Sequence, residues 1–246
     1  MITETAIILA TLILLMALLY SSVGHAGASG YLAAMALMGI APAVMKPTAL
    51  VLNIFVATIA TIQFASAGHF SWRLYWPFVA TAIPAAYLGG AITLPSQQYT
   101  IIVGCALLIA AARMFMTAVR AAAQPSHRPP LCAAMATGAC IGLLAGLTGT
   151  GGGIFLTPIV LFMRWADAKK AAGLSAPFIL ATSIAGVLGV LSKGATLPEE
   201  LPLWIAAAIA GGLTGAYLGS RRLTSPWIRR LLAIVLVIAG LKMILT

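Results

Sequence analysis

The run Gly142-Leu143-Leu144-Ala145-Gly146-Leu147-Thr148-Gly149-Thr150-Gly151-Gly152-Gly153 stands, ahead of Pro158, inside an otherwise apolar stretch from Leu131 to Met163. A glycine in a helix interior costs about 1 kcal/mol relative to alanine, so three in a row predict a break. Breaking a helix frees backbone N–H groups that lipid cannot satisfy. Such backbone is tolerated at membrane depth only around a cavity. The arm after the break, Ile154–Met163, measures about 15 Å at the helical rise of ~1.5 Å per residue, half of a bilayer core of roughly 30 Å. It reaches the middle of a membrane and does not cross.

The membrane itself is read from composition. Of 246 residues, 62% are hydrophobic and 7% charged, against about a quarter charged in soluble domains. The charges fall between apolar segments of roughly 20 residues, the length of a span. A water-soluble fold is excluded. So is a nucleic-acid surface as the source of the formal charge of +10, because lysines and arginines collect in the cytoplasmic loops of membrane proteins. Thr5–Tyr20 lacks a preceding basic region, carries Glu4 and shows no small-x-small cleavage site, so a retained membrane segment is expected rather than a signal peptide. Cys105, Cys132 and Cys140 lie in apolar stretches without CxxC spacing, which indicates neither a disulfide framework nor a zinc site. No cofactor is expected.

The chain repeats itself. Ala86-Tyr87-Leu88-Gly89 recurs as Ala216-Tyr217-Leu218-Gly219, a shift of 130, and Gly27-Ala28-Ser29-Gly30-Tyr31 lies against Gly151-Gly152-Gly153-Ile154-Phe155, a shift of 124. Lys46 matches Lys170 at that second shift, and a longer loop around Ser192–Pro202 absorbs the difference. The polar linker 121–130 divides residues 1–120 from 131–246. Each half reads as one glycine-broken stretch followed by three ordinary spans: Thr5–Met45, Thr48–Ser66, Leu74–Ile92 and Tyr99–Thr117, then Leu131–Met163, Ala171–Leu191, Leu203–Leu218 and Ile228–Leu245.

Loop charge decides whether a broken stretch crosses or returns. If it returns, Arg73, Arg120, Arg128, Arg164, Lys169, Lys170, Arg221, Arg222, Arg229 and Arg230 share one side and only Lys46, Lys193 and Lys242 lie opposite. If it crosses once, the same residues divide eight to five. The returning arrangement is the more asymmetric. It gives each half three full crossings, so the halves are inverted. The expected fold is an all-α polytopic membrane protein of two inverted repeats, each a re-entrant or V-shaped segment plus three transmembrane helices. The linker is then cytoplasmic and both termini lie outside the cytoplasm. Arg113, the one basic residue within a span, is expected to snorkel to the interface.

Inverted repeats with glycine-interrupted segments at matching positions point to a transporter's central site. The start of each arm carries unpaired N–H donors and the positive end of the helix dipole, which suits a small anion. The candidate substrate-binding residues are Thr148, Gly149, Thr150, Gly151, Gly152 and Gly153 in the second half and His25, Gly27 and Ser29 in the first. Asn53, Thr58, Ser175 and Thr182 supply polar atoms mid-span, with Gln63 and Ser183 nearby. Gly142 and Gly146 are expected only to pack helices. His25 could contact an anion or titrate near neutral pH, or be a hydrogen-bonded structural histidine. The threonines and serines serve equally as helix–helix hydrogen bonds.

Gly27-Ala28-Ser29-Gly30 also fits the GxSG pattern of rhomboid-type intramembrane proteases. His69 and His127 fall in loops, however, and His25 stands too near in sequence to act as base. No catalytic residues are expected. The only carboxylates, Glu4, Asp167, Glu199 and Glu200, lie outside the spans, so no intramembrane acid relays protons. An anion leaving a negative-inside cell gains about 2.3 kcal/mol per charge per 100 mV. Outward movement therefore needs no coupling.

On Gly142-x3-Gly146-x2-Gly149-x-Gly151-Gly152-Gly153-x4-Pro158, and on the weaker Gly24–Gly30 run, the sequence resembles the sulfite exporter TauE/SafE family of membrane permeases over essentially its whole length. The resemblance implies transport of small anions, often sulfur-containing ones such as sulfite or sulfonates, with the family's glycine motif at Gly149, Gly151, Gly152 and Gly153. This chain departs from it in the first half, where Ala28 and Ser29 replace glycines and Ala34 stands where the second half has Pro158. The expected partners are a small anionic substrate and the lipid bilayer of a bacterial inner membrane, not nucleic acid; a homodimer is open. Cys140 could handle a sulfur substrate. Uptake of another small solute, or a non-transporting subunit that anchors a redox or assembly partner, are the alternative readings.

Overall fold

Helices stop where the glycines stand. In the computed structural model, which describes residues 4–22, 24–117, 128–221 and 226–245, α1 (Glu4–Ser21) ends before Gly24 and α2 (Ala28–Leu37) begins after Gly27. Likewise α6 (Leu131–Thr148) ends at Gly149, and α7 (Gly153–Phe162) begins after Gly152. The breaks need left-handed backbone, at φ 81° and 104° for Gly24 and Gly27 and at 82°, 71° and 77° for Gly149, Gly151 and Gly152. Residues with a Cβ avoid that region. Three long helices follow each short arm: α3 (Pro42–Ser66), α4 (Trp72–Ala91) and α5 (Ser96–Thr117), then α8 (Ala168–Leu191), α9 (Leu201–Arg221) and α10 (Pro226–Leu245). Every element among the described residues is an α-helix, and α1, α3, α6, α8 and α9 are both long and apolar enough to span a bilayer. Most of the linker 121–130 and the side chain of Arg113 fall outside the described residues.

Two seams of small residues assemble the bundle. Gly138, Gly142 and Gly146 of α6 lie directly on the backbone of Phe78, Ala82 and Ala86 of α4, so these helices run side by side in one direction. Gly211, Gly215 and Gly219 of α9 do the same against Leu14, Leu18 and Ser22 at α1. The four-residue spacing puts each set on one helix face, where missing side chains let backbones approach closely. Hydrogen bonds pin both seams. Thr81 Oγ1 of α4 donates to Met135 O (2.7 Å), and Trp204 Nε1 of α9 donates to Ala6 O (3.2 Å). Between the seams α3 and α8 pass in opposite directions. Leu50, early in α3, meets Gly186, late in α8, while Gly173, early in α8, meets His69 just beyond α3.

One charge stands elsewhere than in the loop tally. Lys46 is not a loop residue. Pro42 starts α3, as proline can at a first helical turn, and this carries Lys46 into the helix, where it is 9% exposed. Its Nζ donates to Gly89 O (3.1 Å), Gly90 O (3.0 Å) and Ile92 O (3.1 Å) at the end of α4. A cation is favoured there because the last carbonyls of a helix have no intrahelical partner and carry the negative end of its dipole. Lys170, the matching residue of the second half, stays exposed beside Asp167, which caps α8 by accepting from Lys170 N (2.8 Å).

Candidate functional site

The two breaks meet in the interior. His25, between α1 and α2, places Nε2 3.2 Å from Gly153 O and 3.1 Å from Thr157 Oγ1, both on α7. A carbonyl only accepts, so the tautomer that serves it carries the proton on Nε2. Thr157 Oγ1 in turn lies 2.6 Å from Ser175 Oγ of α8. A chain of polar atoms thus links the first break, the arm of the second half and α8.

The second break is held by α8 and faced by α3. Thr182 Oγ1 donates to Gly151 O (2.9 Å) while also within reach of Phe178 O (2.8 Å) of its own helix. Asn53 Nδ2 of α3 donates to Ser183 Oγ (3.4 Å), and Asn53 Oδ1 is buried without a partner. Both residues close on Gly151, where an added Cβ would lie 2.6 Å from Asn53 Nδ2 and 3.1 Å from Ser183 Oγ. Thr148 and Thr150 pair through their hydroxyls (2.9 Å). Tyr99 OH donates to Thr148 O (3.0 Å), and Gly149 packs on the backbone of Lys46. No acceptor for the N–H groups of Gly151 and Gly152 occurs among the described residues. In a membrane interior such donors call for a solute or water.

The first break is closed differently. Tyr31 OH donates to Ala26 O (2.6 Å), and its ring fills the space beside Gly27. Ser29 is buried in the first turn of α2. Thr58, the repeat partner of Thr182, donates back to Ile54 O (2.6 Å) within its own helix. The structure therefore gathers His25, Asn53, Ser175, Thr182 and Thr148–Gly153, and it leaves Thr58 apart from them. Cys140 is exposed on the outside of the bundle. Sequence reasoning missed Thr157 and Tyr99. Thr157 could have been found, since it shares a helix face with Gly153 at four-residue spacing; for Tyr99 the sequence holds no signal.

The family model "Sulfite exporter TauE/SafE" matches residues 9–243, from within α1 to within α10, and so spans both breaks. A curated relative in Sinorhizobium fredii, named "Probable membrane transporter protein y4hK", is 44% identical over 242 residues, which cover 97% of this chain and 98% of the relative. No solved structure matches the chain. With the family model covering both glycine breaks and the relative covering nearly the whole chain, the protein is a membrane transporter of the sulfite exporter TauE/SafE family.

Proposed function

We propose that the chain is an inner-membrane permease that carries a small anion outward, a sulfur-containing oxyanion or sulfonate of the sulfite kind, by alternating access about a midplane site. The observation that carries this reading is the convergence of the two breaks at His25, Gly153 and Thr157, with the uncommitted N–H groups of Gly151 and Gly152 beside them. Backbone donors at the start of a short helix, joined by hydroxyls and an imidazole, suit oxygen atoms that carry negative charge.

Inversion of the two halves is part of the proposal. It is supported by the reciprocal seams, α6 on α4 and α9 on α1, and by the opposed directions of α3 and α8. The family name supports sulfite as the first substrate to try. Flux in proteoliposomes, with sulfite, thiosulfate, sulfoacetate and sulfate under imposed potentials of either sign, is the test. Net movement toward the positive side is expected for at least one of the sulfur anions, and flux equal to that of empty liposomes for all of them would end the proposal. Inversion has its own measurement. Cysteines placed singly at Ala41, after α2, and at Arg164, after α7, in a chain freed of native cysteines, should label from opposite faces of the membrane. Labelling from one face would mean the halves are parallel.

A further inference from the structure

A cavity of ≈ 370 Å³ opens at one end of the bundle, lined by the start of α3, the turns after α4 and after α8, and the first turn of α5. Lys46, Lys193, Thr93, Ser96 and Thr196 are among the residues that line it, and among the described residues no Asp or Glu does. Lys46 forms the floor, on the three carbonyls that end α4. A helix C-terminus offers only roughly half a negative charge, so the floor keeps net positive charge. Charge of one sign in a low-dielectric recess raises the local concentration of counter-ions.

The cavity also shares its wall with the second break. The backbone of Lys46 touches Gly149, where a Cβ would lie 3.1 Å from Lys46 O. Tyr99, another lining residue, donates to Thr148 O (3.0 Å). Two of the buried residues that line the cavity, Lys46 and Tyr99, are therefore seated on the end of α6. A lysine serving only to cap α4 would need neither the recess nor the contact with Gly149.

We propose that this cavity is an antechamber that binds a small oxyanion between Lys193 at its rim and Lys46 at its floor, on the path to the glycine break of the second half. The inference rests on reading the protein as an anion permease. Binding would exchange one of the three carbonyl partners of Lys46 for an oxygen of the anion. Because the backbone of Lys46 lies on Gly149, that exchange would be felt at the break.

The test reads local charge without requiring transport. Ser96→Cys, in a chain whose three native cysteines are replaced, is reacted in detergent with a negatively charged sulfonatoethyl and a positively charged trimethylammonium methanethiosulfonate. Each rate is normalised to that of a free thiol. The anionic reagent should be favoured on the order of ten-fold, and Lys193→Met and Lys46→Met should each lower that preference. Lys193 is exposed, so its variant carries the test if loss of the buried Lys46 disturbs folding. A ratio equal to that of the free thiol, or one unmoved by Lys193→Met, overturns the antechamber. Flux of sulfite by the parent protein separates the two readings. If sulfite moves and the labelling ratio stays flat, only the antechamber fails; if the ratio responds and no sulfur anion moves, only the permease reading fails.

Discussion

Gly151→Ala is expected to stop transport while leaving a folded, inserted protein. At φ 71° an alanine meets left-handed strain of about 1–2 kcal/mol, and its Cβ would press on Asn53 Nδ2 at 2.6 Å, Ile179 Cγ2 at 2.8 Å and Ser183 Oγ at 3.1 Å. These neighbours are side-chain atoms of α3 and α8, so either they or the loop must shift, and both shifts change the polar surroundings of the Gly151 and Gly152 N–H groups. Gly39→Ala is the control. Gly39 has a similar φ of 72° with nothing within 4 Å of a Cβ, so it carries the backbone strain without the collision. Proteoliposome flux should fall at least about ten-fold for Gly151→Ala, the consequence of a displaced site, and stay near the parent rate for Gly39→Ala. Elution as a single species by size exclusion would show that both variants fold. Flux from Gly151→Ala equal to that from Gly39→Ala would remove the second break from the site.

The second large effect concerns assembly. Gly142→Leu should prevent α6 from closing on α4, because the first added atom would already lie 2.7 Å from Ala82 Cα and collide with Ala82 O. Backbone at the centre of a helix does not yield as a side-chain end does. Overpacking in a tight core costs about 1–3 kcal/mol, and a leucine opposed by backbone belongs above that range. The variant should be lost to aggregation on extraction, or unfold at a markedly lower temperature in a thermal scan followed by size exclusion. Leu144→Ala, on an exposed position of the same helix, should behave as the parent. Should Gly142→Leu prove as stable as the parent, close backbone packing of α6 on α4 is not what holds this seam.

Much of this was legible in the sequence because glycine announces itself. A run such as Gly149–Gly153 has few structural uses, and the match of Gly27–Tyr31 to Gly151–Phe155 placed the first break as well. Thr182 could be picked out as a mid-span hydroxyl. Its repeat partner Thr58 could be picked out equally well, yet it bonds only its own helix. A matched position in sequence does not fix the chemistry, which depends on what stands opposite. Lys46 was illegible for a different reason. A lone lysine near a proline reads as a loop charge, and its partners Gly89, Gly90 and Ile92 act through carbonyls that no side chain advertises. Thr157 was hidden by company, standing in the apolar run Ile154–Met163, where a single hydroxyl attracts no notice.

The crossed seams have a consequence for how the protein is made. α1 leaves the ribosome well before the surface it packs against, which belongs to α9: Gly211, Gly215 and Gly219 are synthesised some 190 residues after it. α4 waits in the same way for α6. Neither half can complete its own interior, since the seam each broken hairpin needs is on the other half. The bundle is thus committed late, when α9 arrives, and until then α1 must stay in lipid with its small-residue partner unmade. Sequence separation of that kind slows assembly and lengthens the exposure of incomplete intermediates. Seams that join helices so far apart in sequence depend on α1 and α9, and on α4 and α6, being made in one chain.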